Sequence, residues 1–208
     1  SWDRYMTPDN LSEWRVLPAT KSTLSLPFNK QNTLGIASLR LYRITGEPSY
    51  RERALKIFNF MKSRMGHFQD HIVWNYWEPF GSWDIDTSAP NTLRHWVNVH
   101  PYRNYQAGEI EQIVEAYHSG ITFSRDDIQR MINTNLKVMW NGDKNNPQWK
   151  NSNYGVEMAS IGKQSITQAP GGEFTSLAGT LWRGLGDFDS TIRELAGIQD
   201  STPPSFQR

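Results

Sequence analysis

Apolar residues at helical spacing, punctuated by glycine and proline, constrain this chain more than any other feature. Ala54, Ile57, Phe58 and Met61 fall at i, i+3, i+4 and i+7, the core stripe of a surface helix, with Arg51, Glu52, Lys56 and Lys62 on the other face. Gly46 and Pro48 stand just before it. Gly marks the end of one helix and Pro the first turn of the next, because Gly tolerates a left-handed stop and Pro needs no N–H there. Upstream, 31–44 places Leu34, Ala37, Leu41 and Ile44 along one side, so the two segments predict a hairpin. The pattern recurs over 104–118, where Ile110, Ile113, Val114 and Tyr117 repeat the spacing and Gly120 stops it. Ser124 with Asp127 three residues on resembles a capping box, a motif that prefers Glu or Gln at its third position. The helix it opens carries Ile128, Met131, Ile132, Leu136 and Met139 and ends near Gly142. A last pair is predicted from Phe174, Leu177, Ala178, Leu181 and Leu185, followed by a shorter helix over 190–196. The expectation is an all-α fold of three helical hairpins with long loops and little β. The spacing is too uneven for a standard solenoid.

Residues 1–30 contain Pro8, Pro18 and Pro27 without sustained periodicity and predict an irregular arm, whose Trp2 and Trp14 need something to pack on. Residues 31–200 form the predicted single helical domain and 201–208 a tail. The segment 71–80 is short and aromatic and predicts a strand or an extended loop. Two long connections, 81–99 and 143–172, lack a helical period, and such loops are usually functional or disordered. Trp83 and Trp96 argue against disorder in the first. A formal net charge of +1 and the lack of a basic run argue against nucleic acid as a partner. No stretch approaches the 18 or so apolar residues of a membrane span. No signal peptide is read, and with no cysteine there is neither a disulfide nor thiol chemistry. Aromatics reach 12%, with nine Trp, against 37% hydrophobic residues, so much ring area belongs at amphipathic surfaces. Such rings either stack on the C–H faces of sugars or fill gaps between helices.

The stretch 95–117 draws attention, because His95, Trp96, Asn98, His100, Tyr102, Arg103 and Tyr105 crowd the mouth of an amphipathic helix. The carboxylates Glu78, Asp84, Asp86 and Glu109 flank it. A glycoside hydrolase needs two such groups, about 5–5.5 Å apart for retention or about 6.5–9.5 Å for inversion. Solvated surface carboxylates are the commoner explanation for such positions. Asp84, Asp86, His95 and His100 match no standard metal spacing, and no metal site is assigned. His67 and His71, four apart near a helix end, read as surface residues. Asn29, Gln31, Trp74, Asn75, Tyr76, Trp77, Glu78, Trp83, Glu109, Trp140 and Asn141 are the candidates for a sugar groove, since Trp offers a stacking face and amides bind hydroxyls bidentately. Packing within hairpins is the alternative for Trp74 and Trp140. No phosphate loop, dinucleotide fingerprint or Gly-x-Ser-x-Gly is present, so no cofactor is expected.

Two segments resemble the six-hairpin, (α/α)-toroid enzymes that process polysaccharides, a superfamily of uronate-polysaccharide lyases, glucuronyl epimerases and glycoside hydrolases. They are PFNKQNTLGIASLRLYRITGEPSYRERALKIFNFMKSRM, followed by VWNYWEP, and AYHSGITFSRDDIQRMINTNLKVMWNGD. Together they cover roughly 27–143. The resemblance implies an acidic polysaccharide or oligosaccharide as partner and an extracellular or periplasmic location. It also implies a toroid that three hairpins fill only in part, so a missing half or a second copy would complete it. Where many relatives carry an acidic residue and then Ser-His, this chain has His100-Pro101-Tyr102-Arg103-Asn104-Tyr105. β-Elimination from a uronate needs a carboxylate neutraliser, a base and an acid for the leaving oxygen. The expected assignment is His100 as base or neutraliser, Tyr105 or Tyr102 as acid/base, and Arg103 or Asn98 on the carboxylate, with His95 nearby. A glycoside hydrolase of the same fold and a non-catalytic carbohydrate-binding or assembly module are the other readings.

Overall fold

The computed structural model describes residues 27–74, 85–86, 92–93, 103–150, 153, 174–175 and 181–201. These are mostly helical, with five α-helices among the described residues: α1 (Phe28–Thr45), α2 (Pro48–Ser63), α3 (Arg103–His118), α4 (Arg125–Asn133) and α5 (Ser190–Ser201). Strands are two-residue pieces paired antiparallel: β1 (Gly66–His67) with β2 (Ile72–Val73), β3 (Ile85–Asp86) with β4 (Thr92–Leu93), and β5 (Trp149–Lys150) with β6 (Phe174–Thr175). The predicted arm at 1–26, the tail at 202–208 and most of both long connections lie outside the described residues.

The turn between α1 and α2 forms as its residues dictate. Gly46 adopts φ 71°, in the left-handed region, and its N–H reaches the carbonyl of Tyr42. Pro48 is the first residue of α2. α2 buries Ala54, Ile57, Phe58 and Met61, the stripe read from the sequence. α1 begins at Phe28, three residues before its predicted start, and buries a different face from the predicted one. Leu41 and Ile44 are 41% and 81% exposed, whereas Phe28, Gln31, Asn32, Gly35, Ile36, Ser38 and Leu39 are buried. Close approach explains the choice. A Cβ on Gly35 would lie 2.9 Å from Cε2 of Phe58, so the helices meet through α1's smallest residues. Asn32 donates from Nδ2 to the sulfur of Met61 across the same contact, at 3.0 Å.

The expectation of three hairpins is corrected. α3 packs against α1 and against a 3-10 turn at Arg183–Leu185, whereas α4 packs against β2. Within α3, Ile110 and Ile113 are fully buried, with Val114 and Tyr117 packed beside them. The capping box of α4 is present: Ser124 accepts from the N–H of Asp127, and Asp127 accepts from the N–H of Ser124 at 2.7 Å. Past Asn133 the helix widens into a π-helix over Thr134–Met139, closed by Trp140 N–H donating to the carbonyl of Asn135 at 3.1 Å. The hydroxyl of Thr134 accepts the N–H of Ile72 at 3.1 Å, tying this wider turn to β2.

No described residue of 174–185 lies in an α-helix, contrary to the predicted stripe. Phe174 and Thr175 form β6, Leu181 lies at a bend, Trp182 is irregular, and only Arg183–Leu185 coil, as a 3-10 turn. The glycines at 171, 172, 179, 184 and 186 lower helix propensity across this region. Leu181, Trp182 and Leu185 are buried all the same, so their apolar spacing reports packing rather than helix. His67 and His71 flank the β1–β2 turn, where His71 stacks on Phe68 and lies 2.9 Å from Asp70 Oδ1.

Candidate functional site

One pole of the helical domain concentrates buried polar groups. Pro27, the N-cap of α1, has no side-chain acceptor, so the first N–H groups of that helix need another partner. Glu109 of α3 supplies one: it is fully buried, and the backbone N–H of Asn29 faces its carboxyl. Nε1 of Trp74 donates to Oε2 of Glu109 at 2.7 Å. Oε1 of Glu109 has no hydrogen-bond partner among the described residues. Burial raises the Glu109 carboxyl from 4.5 to about 8, and the two N–H groups oppose that rise only in part. At neutral pH Glu109 is therefore a carboxylic acid, able to donate a proton as well as accept hydrogen bonds.

Trp74 is fixed from two further sides. Its carbonyl accepts Nδ2 of Asn153 at 2.9 Å, and its indole lies tilted against that of Trp182, with ring centroids 5.1 Å apart. Trp182 donates its backbone N–H to Oδ1 of Asn135 at 3.3 Å. Asn135 sits in the π-helical turn, an irregularity frequent at functional positions. A continuous set of contacts thus runs from that turn through Trp182 and Trp74 to Glu109 and the start of α1. Gln112, one turn beyond Glu109, ties the helices together by donating from Nε2 to the Asn29 carbonyl at 3.3 Å and to the Thr33 hydroxyl at 3.1 Å.

Of the residues singled out from sequence, Asn29, Trp74 and Glu109 meet at this pole. Tyr105 lies one helical turn before Glu109 on α3 and is 43% exposed. Arg103 is the first residue of α3, and its side chain lies outside the description. His95, Asn98, His100, Tyr102, Asn75, Tyr76, Trp77, Glu78 and Trp83 lie outside the described residues, as does Asp84. Trp74 and Gln31 are each 1% exposed and belong to the core contact between elements. Asn141 spends its polar atoms on its own loop, donating to the Asn146 carbonyl at 2.9 Å and accepting the N–H groups of Asp143 and Gln148. Trp140 is half-buried and bridges to Trp149, and its backbone N–H donates to the carbonyl of Asn135.

Gln106 was not anticipated. It is 2% exposed, and neither polar atom of its amide has a partner among the described residues. Its position four residues before Ile110 places it on the buried stripe of α3, which was the available signal. Among the described residues no group of three His, Asp or Glu could hold a metal ion, and no helix is long and apolar enough to cross a membrane. No family model, curated protein or solved structure matches this chain.

Proposed function

We propose that this chain is a carbohydrate-active protein that handles an acidic polysaccharide, built as part of an (α/α) toroid and acting by β-elimination. The observation that supports this reading is convergence. Asn29, Trp74 and Glu109, chosen from sequence for sugar chemistry, meet at the pole where α3 opens with Arg103 and Tyr105. In this scheme His100 is the base or charge neutraliser, Tyr105 or Tyr102 delivers the proton to the leaving oxygen, and Arg103 or Asn98 holds the uronate carboxylate. Completion of the ring falls to a missing half or a second copy, and location outside the cytoplasm follows the same family resemblance.

A glycoside hydrolase is the second reading, and the state of Glu109 favours it specifically. A carboxyl held neutral at pH 7 suits the general acid that protonates a glycosidic oxygen. Incubation with alginate, pectate, hyaluronan and heparin-type polymers separates the readings. Ultraviolet absorbance from an unsaturated product marks elimination, and new reducing ends without absorbance mark hydrolysis. Binding without either marks a module. For elimination, His100→Ala and Tyr105→Phe abolish turnover; full activity in both refutes the assignment.

A further inference from the structure

Gln106 occupies a costly position. A buried primary amide with no partner among the described residues for either polar atom destabilises the fold relative to an apolar side chain of the same shape. Three more buried or half-buried groups lie along α3 and at the start of α1, which packs against it. Glu109, three residues along the same helix face, has a free Oε1, and its Cβ lies about 5–6 Å from that of Gln106 by helix geometry. Asn29 leaves Oδ1 without a partner, and Gln112 leaves Oε1 without one. The charged side chains of nearby elements are engaged elsewhere. Arg40 and Arg43 pair with Glu115, and Lys62 pairs with Asp127. Among the described residues no cation hydrogen-bonds to Glu109, whose partners there are polar and uncharged.

We propose that Gln106, Glu109 and Asn29 form a neutral subsite for sugar hydroxyls, and that Gln106 is a ligand-binding residue retained against its effect on stability. A primary amide and a carboxylic acid each combine a donor with an acceptor, which is what adjacent hydroxyls require. A uronate carboxylate would need a cation that this subsite lacks among the described residues, so the hydroxyl-bearing part of the sugar docks here. The proposal rests on the carbohydrate reading of this pole.

The test uses the full 208-residue chain, a glucose tetramer and a galacturonate tetramer at pH 7, with calorimetric titration and thermal melting. Gln106→Leu and the closer isostere Gln106→Met both melt higher than the parent and bind both tetramers at least about 10-fold more weakly, by the loss of a ligand hydrogen bond. A lower melting temperature in both variants overturns the proposal, because it shows the amide satisfied within the fold, by a buried water for example. Higher melting with unchanged affinity overturns it as well. Binding of the galacturonate but not the glucose tetramer by the parent overturns the neutral subsite and leaves the polysaccharide function standing. Glucose-tetramer binding without turnover of any polymer does the reverse, removing the enzymatic reading alone.

Discussion

Asp127 and Glu109 are both buried carboxyl groups on helices, yet their surroundings are opposite. Burial by itself would raise Asp127. The hydrogen bond from Lys62 at 2.6 Å, the Ser124 N–H and hydroxyl, and the Lys62 charge outweigh it and hold the group below the usual carboxylate range. Lys62 also donates to the carbonyl of Thr122 at 3.1 Å, bracing a β-branched residue at φ 61°. Everything around Asp127 fixes the start of α4. Glu109 has one indole donor and one backbone N–H, no described cation, and an oxygen left over. A carboxyl placed for architecture is saturated with donors. One left neutral and under-satisfied beside other unpaired amides has the character of a working group.

Glu109→Gln makes the sharpest break in this comparison. The raised value of Glu109 means that folding takes up a proton when the unfolded chain is ionised. Stability attached to this group is therefore full below pH 4.5, falls as pH rises towards 8, and is level above that. Gln keeps an acceptor for Trp74 and titrates nowhere. Chemical denaturation should show the variant more stable than the parent by on the order of 3 kcal/mol at pH 7, at about 1.36 kcal/mol per pH unit. The two should converge below pH 4.5. A parent that instead loses stability relative to the variant as pH falls below 4.5 would place Glu109 in the same structural class as Asp127.

Lys62→Met tests the other side. It leaves Asp127 buried with Ser124 alone and frees the turn at Thr122, so urea denaturation should register a loss of about 2 kcal/mol. The parent's Asp127 contribution is present above pH 3.8 and fades as pH falls through that value, opposite in sense to Glu109. Ser124→Ala is milder. It removes the hydroxyl of the capping box but keeps the ion pair, for a loss of about 1 kcal/mol in thermal melting. An effect as large as that of Lys62→Met would mean that the cap, not the ion pair, holds the helix start.

The same contrast explains what could be read from the residues. Asp127 was legible because a capping box is local, two side chains three positions apart. The stripes of α2 and α3 were legible because their apolar residues do the packing. α1 misled because its buried face mixes Gly35, Ser38 and Asn32 with Phe28, Ile36 and Leu39, while Leu41 and Ile44 remain outside. At 174–185 the described apolar residues Leu181 and Leu185 are buried without an α-helix, so their spacing misled. Glu109 was visible as a carboxylate, but its neutrality depends on Trp74 and the start of α1, which lie 35 and 80 positions upstream. Gln106 escaped because a polar residue on an amphipathic helix reads as solvent-facing until its neighbours are known. The π-helical turn at Asn135 had no signal in the local pattern.

A carbon-13 NMR titration of protein labelled at the glutamate side-chain carboxyls tests the central claim most directly, with the Glu109→Gln spectrum identifying the resonance. The account predicts that the resonance missing from the variant titrates near pH 8. Titration of that resonance near 4.5, the ordinary value for a glutamate, would contradict it.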